Sequence, residues 1–210
     1  MTFIEHFIKN KERNSKRTMT RCMAIYNTDI IDEIYSAGIL NKISLEENLY
    51  ERVNKITTDE ALTNQEKEEL LTSISDENSI GSDTIELIEE MQIIALYKTI
   101  ETVIKKMLLS SGLINKDEIK KLHRVKELKV KLKEIGCDIT TLSGFQQFDE
   151  LRCLNNCIKH SGYVDKELAK HSIWKKNEKI TNCGKHYVRL KDGVAIFIDN
   201  FLKSIVAKIA

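Results

Sequence analysis

Arg152, Asn156 and His160 recur at intervals of four within Leu151-Arg152-Cys153-Leu154-Asn155-Asn156-Cys157-Ile158-Lys159-His160-Ser161-Gly162. On a helix turning about 100° per residue they form a polar ridge drifting by about 40° per step, with Lys159 within about 20° of Arg152. Leu151, Leu154 and Ile158 share the adjoining face, which must point into a core. The ridge joins a proton-transfer group that works near neutral pH, His160, to a guanidinium fork and an ammonium matched to phosphate oxygens. Such a set can cleave RNA without a metal, the 2′-hydroxyl attacking the adjacent phosphate. A structural explanation competes: His160 complements the dipole at a helix C-terminus, and Asn155 and Asn156 satisfy nearby backbone.

Other constellations offer less. Cys153 and Cys157 are one helical turn apart, and Cys183 with His186 makes a Cys-x-x-His pair, so the four could hold zinc if Cys183 folded back. Buried cysteines acting as small hydrophobes explain the same spacing. The expectation is therefore no metal and no cofactor. His171 and Trp174 could stack on a base or simply pack on the bundle. Asp149 and Glu150, adjacent on a helix, point about 100° apart and make a poor acid/base pair. No glycine-rich phosphate loop, HExxH or GxSxG is present. Residues 9–21 carry Lys9, Lys11, Arg13, Lys16, Arg17 and Arg21 against Glu12 alone, which suits a solvated helix end or an arm that touches nucleic acid.

The elements that position these residues read as helices throughout. None of the 210 residues is proline and only 8 are glycine, which favours long uninterrupted helices. Ser44…Glu47, Thr57…Glu60 and Thr63…Glu66 each fit a capping box, dividing residues 20–76 into one helix and several short pieces. Met23, Tyr26, Ile30 and Ile34 form the apolar stripe of the first. Ser75 to Ser82, small and polar, is the candidate linker. A long helix from Asp83 to about Ser110 carries Ile85, Ile88, Met91, Ala95, Ile100, Ile104 and Met107, and Gly112 stops it. A second helix, packed antiparallel to it, starts at Asn115 and ends at Gly136. Ser143 and Gln146 suggest a capping box before the ridge helix, which spans Gly144 to about His160 and stops at Gly162. Val164 to Lys170 is short and helical, Trp174 to Gly184 a loop, and Tyr187 to Leu190 a possible strand. A last helix from about Asp192 presents Val194, Phe197, Phe201 and Ile205.

Charge is balanced, 33 basic against 32 acidic side chains, so nucleic-acid binding requires a local patch. No apolar run approaches the roughly 18–20 residues that span a bilayer, and Met1 to Asn10 lacks the apolar stretch of a secretory signal. Five cysteines without framework spacing suit a reducing compartment. No membrane association and a cytoplasmic location are expected.

Asn155-Asn156-Cys157-Ile158-Lys159-His160-Ser161-Gly162 resembles the signature helix of the HEPN family, helical bundles common in prokaryotic toxin–antitoxin and phage-defence systems. Ile94-Ala95-Leu96-Tyr97-Lys98-Thr99-Ile100-Glu101 looks like the long first helix of such bundles. The resemblance covers roughly residues 83–208. It implies an all-α fold with an antiparallel HEPN-like bundle at 79–210, leaving 1–78 as an N-terminal helical extension with its basic arm. It further implies a metal-independent endoribonuclease, completed across a homodimer, with a protein partner from such a system. His160 is then the general acid/base, Arg152 and Lys159 stabilise the phosphorane, and Asn156 positions substrate or histidine. Asn155 stands where the family has arginine. Either Arg152 substitutes from one turn earlier, or the chain is an inactive interaction module serving as sensor, antitoxin or scaffold. If Arg152 is an imperfect substitute, Asn155→Arg, restoring the family pattern, is expected to preserve or raise activity.

Overall fold

The computed structural model describes residues 3–122 and 124–209, and the side chains of residues 3, 4, 6 and 7 lie outside that description. The described residues form seven α-helices and no strand: α1 (Phe3–Met23), α2 (Asp29–Thr58), α3 (Asn64–Ser111), α4 (Lys116–Lys121), α5 (Val125–Glu134), α6 (Phe145–His160) and α7 (Cys183–Lys208). The all-α fold expected from composition is present. None of these helices is long and apolar enough to cross a membrane.

The C-terminal half of α3 packs with α6 and α7 around the main core, and α1 lies along α3 and α7. Ile93, Leu96, Ile100, Met107 and Leu108 of α3 are buried against Leu151 and Leu154 of α6 and Leu190, Val194, Phe197, Phe201 and Ile205 of α7. Phe148 stacks on Phe197 at 4.6 Å between ring centroids and 10° between planes, which fastens α6 to α7. The basic segment 9–21 belongs to α1. Its Thr20 is fully buried, and Arg17 Nη2 donates to the Ile209 carbonyl at 2.9 Å, so one face of the segment is docked on the bundle.

Several stop and start signals act as their chemistry requires. Thr63 and Glu66 make a reciprocal capping box at the start of α3. Gly112, at φ 68°, ends the helix, and the Asn115 side chain caps α4. Gly136, at φ 75°, closes α5, with Gly136 N bonded to Lys133 O and Cys137 N to Leu132 O.

Elsewhere the structure corrects the sequence expectations. Ser75 to Ser82 is no linker: it lies inside α3, whose 48 residues run unbroken from Asn64 to Ser111 and pass through the 78/79 boundary. Ser44 and Thr57 cap nothing, both lying within the 30-residue α2, where the Thr57 hydroxyl donates back to Val53 O. The Met23–Ile34 stripe is split by the break between α1 and α2, and Ile30 and Ile34 are 67% and 59% exposed while Ile31 is buried. Met91 faces outward. The single helix expected from Asn115 to Gly136 is instead two, α4 and α5. Gly144, at φ 83°, is the N-cap of α6 with no side-chain bond, so the Ser143–Gln146 box is not formed. Between α6 and α7 only Leu168–Lys170 forms a 3-10 turn. Tyr187 to Leu190 is helical because α7 starts nine residues earlier than expected, at Cys183, with Tyr187 and Leu190 turned into the core.

Candidate nucleic-acid interface

The last three turns of α6 sort their side chains as the helical spacing requires. Leu151 and Leu154 are fully buried and Ile158 packs against the core, while Arg152, Asn156 and Lys159 line an open cleft of ≈ 630 Å³. Its other walls are Tyr97 and Glu101 of α3, Arg124 ahead of α5, Lys126 and Lys129 of α5, and Glu167. Five cations against two carboxylates give the local basic excess that the balanced chain lacks as a whole. A concave basic wall with amide donors suits phosphate oxygens.

The structure thus brings together three of the four predicted site residues. His160 is the exception: it is exposed on the last turn of α6 and does not line the cleft. Gly162, at φ 70°, ends that turn, its N–H bonded to Cys157 O at 2.9 Å. Arg124, Lys126 and Lys129 were missed by sequence reasoning. The available signal was the three-residue spacing of Lys126 and Lys129 on an amphipathic helix, but only tertiary packing turns that face toward α6.

Arg152 is not a free guanidinium. Its Nε donates to Asp149 Oδ1 at 3.0 Å, and its Nη2 lies 3.1 Å from Cys153 Sγ. Asp149 Oδ1 also lies 4.0 Å from Lys129 Nζ, so this carboxylate offsets part of the basic wall. Asn155, at the position where the resemblance expects arginine, is 1% exposed. Its Nδ2 donates to Asn156 Oδ1 at 3.3 Å, and its Oδ1 is buried without a hydrogen-bond partner.

Asp149 and Glu150 do diverge. Glu150 lies on the far side of α6, almost fully buried, accepting from Trp174 Nε1 at 2.7 Å and from both terminal nitrogens of Arg189. Trp174 also packs on the His186 ring at 4.3 Å, so it is a bundle residue and offers no open stacking platform with His171. Burial pushes the Glu150 carboxyl up, but hydrogen bonds from Arg189 and Trp174 outweigh it and hold the group below its ordinary range. The stability it contributes is therefore present above the unfolded carboxyl value of about 4.3 and lost as pH falls through the lower folded value. Trp174 is the only tryptophan and reports this directly. Its emission is expected to shift below about pH 4, a transition absent from Glu150→Gln; an unchanged transition in that variant removes Glu150 as the cause.

The four residues considered as zinc ligands do not converge. Cys183 is buried near Glu86, Glu89 and Glu90 of α3, and His186 sits between Trp174 and Arg189. All five cysteines are free. Burial pushes the Cys153 and Cys183 thiols up to about 12 and raises Cys157, so none of these three is an activated nucleophile.

Comparison with known protein families, with curated proteins and with solved structures finds no match to this chain.

Proposed function

We propose that this chain is an RNA-directed, HEPN-like protein that holds phosphates in the α5–α6 cleft and acts as a metal-independent endoribonuclease. The observation that carries it is the meeting of Arg152, Asn156 and Lys159 with Arg124, Lys126 and Lys129 around one concavity, in a chain whose net charge is only +1. In this reading Arg152 and Lys159 stabilise charge on the phosphorane and Asn156 positions the substrate. His160 transfers the proton. A single chain offers one imidazole on this helix, and it stands outside the cleft wall, so the site is taken to be completed by a second copy across a two-fold axis. A defence or toxin–antitoxin role, with a protein partner and a cytoplasmic setting, accompanies the resemblance on which the ribonuclease assignment rests.

Two observations favour a second reading, binding without cutting. Asp149 already occupies the Arg152 guanidinium, and the position of the family's arginine holds a buried asparagine. The chain is then an inactive module that grips RNA or a partner through the same cleft.

Purified protein incubated with total RNA in EDTA separates the two. Cleavage by wild type that falls about 10²–10⁴-fold in His160→Ala supports the nuclease. Intact RNA with both proteins, together with salt-sensitive RNA binding that the Lys129→Glu/Lys159→Glu variant loses, supports the binding module. Neither cleavage nor binding by folded protein overturns both.

A further inference from the structure

Asp149, Cys153 and His171 meet on the side of α6 where the 161–182 connection crosses it. One oxygen of Asp149, Cys153 Sγ and a ring nitrogen of His171 all lie within 4.8 Å of one another, the one such group of three among the described residues. Asp149 and Cys153 are one turn apart on α6, and His171 follows the Leu168–Lys170 turn. The two ends of the Asp149 carboxylate are used differently. Oδ1 takes the Arg152 Nε hydrogen bond, while Oδ2 lies 3.9 Å from His171 Nε2. That separation is too long for a hydrogen bond. It approaches the ~3.3–3.8 Å that separates ligand atoms around a tetrahedral ion with bonds of about 2.0–2.3 Å. The three donors therefore surround a gap instead of satisfying one another. His171 and Asp149 retain 13% and 22% side-chain exposure, which leaves a route in from solvent.

We propose that Asp149, Cys153 and His171 form a binding site for a divalent transition-metal ion of the zinc class, with a fourth position open to water. The mixed sulfur, nitrogen and oxygen set selects such an ion over magnesium or calcium, which take oxygen ligands. One carboxylate and one thiolate balance the charge of the dication, the thiol proton leaving to solvent as the metal–sulfur bond forms. Arg152 then serves as an outer donor: it holds Asp149 through the oxygen not facing the ion and lies 3.1 Å from the sulfur. The ion joins the 161–182 connection, whose backbone bonds run mostly within itself (Val164 N to Glu178 O, Ile180 N to Gly162 O), to α6. This assignment does not depend on the ribonuclease reading, and its readouts are independent of RNA.

Cobalt(II) added to the metal-free, reduced full-length protein is the probe. The expected result is one equivalent bound, with the intense visible bands of a tetrahedral site and a near-ultraviolet sulfur-to-metal charge-transfer band, all displaced by zinc. Cys153→Ser loses the charge-transfer band, and His171→Ala and Asp149→Asn bind at least tenfold more weakly, while Cys22→Ser and Cys157→Ser retain the full spectrum. Zinc also raises the melting temperature of wild type but not of His171→Ala, a variant at a partly exposed position that keeps the fold readable if Cys153→Ser does not fold. Absence of cobalt binding, a weak octahedral spectrum, or a charge-transfer band that survives in Cys153→Ser each overturns the site.

Discussion

Gly144→Ala is expected to lower stability by about 4 kcal/mol or more. Two costs combine. Gly144 sits at φ 83°, a conformation that costs an L-residue about 1–2 kcal/mol. A Cβ there would also stand 2.3 Å from Gly193 O and 2.6 Å from Phe197 N. Both are main-chain atoms of α7, so relief requires moving α7 against the Phe148–Phe197 stack, not rotating a side chain. Gly193→Ala makes the useful comparison. Its closest contacts are all in the Gln147 side chain, Cγ at 2.4 Å and Cβ and Cδ at 3.0 Å, and rotating that side chain relieves Cγ and Cδ without moving main chain, leaving only the Cβ approach. For a chain of this size ~4 kcal/mol corresponds to a melting temperature ~8–16 °C lower. Thermal unfolding should show a far larger drop for Gly144→Ala than for Gly193→Ala. Equal drops would mean that the close approach of α6 to α7 is not the source.

Asn155→Arg is expected to destabilise the fold by about 3 kcal/mol, although the sequence alone suggests that it restores a functional arginine. Asn155 is 1% exposed, so a guanidinium there is either buried without a counter-ion or forced toward a cleft already lined by five cations. Neither course is favourable. Asn155→Leu, close in volume and without polar atoms, forfeits only the hydrogen bond to Asn156 and removes a buried unpaired oxygen. It should lie within about 1 kcal/mol of wild type. Urea midpoints for the two variants decide the matter. If Asn155→Arg is as stable as wild type, the side chain reaches solvent through the cleft and the family pattern can be rebuilt here. If it is not, the expectation that this substitution preserves activity has no structural basis.

The contrast between these residues shows what the sequence makes legible. The ridge on α6 was readable because a helix fixes the relative angles of Leu151, Arg152, Leu154 and Asn156 whatever surrounds it. Stops at Gly112, Gly136 and Gly162 were readable because each glycine takes a left-handed conformation after a periodic run. Capping pairs were less specific. In a chain rich in Ser, Thr and Glu the spacing recurs by chance, and only Thr63 with Glu66 forms the reciprocal pair among the boxes expected. Ser75 to Ser82 has loop composition but helical structure because tertiary packing overrides propensity: the absence of a side chain at Gly81 admits Leu45 of α2, whose Cδ2 would be 3.0 Å from an added Cβ. Arg52 pairs bidentately with Glu77 within that same stretch. The burial of Asn155 and the approach of Lys129 to the Asp149–Arg152 pair depend on how α5 and the 161–182 connection lie against α6. No local pattern carries that information.

The length of α3 has a mechanical consequence. Between Asn64 and Met91 its only buried residue is Ile74, and α2 packs chiefly along this half, so the two helices extend from the core as a stiff rod pair. At 1.5 Å per residue the rod reaches ~40 Å from Met91 to the Asn64 end, and a 10° tilt at its root carries the tip by ~7 Å. The root is held by α7: Glu89 accepts from Gly184 N at 3.0 Å, and Lys191 meets Asp32 at 3.3 Å. Between those two contacts α7 carries Arg189, the residue that grips Glu150 of α6. The helix that holds the root of the rod is thus the same one that grips the helix bearing Arg152 and His160.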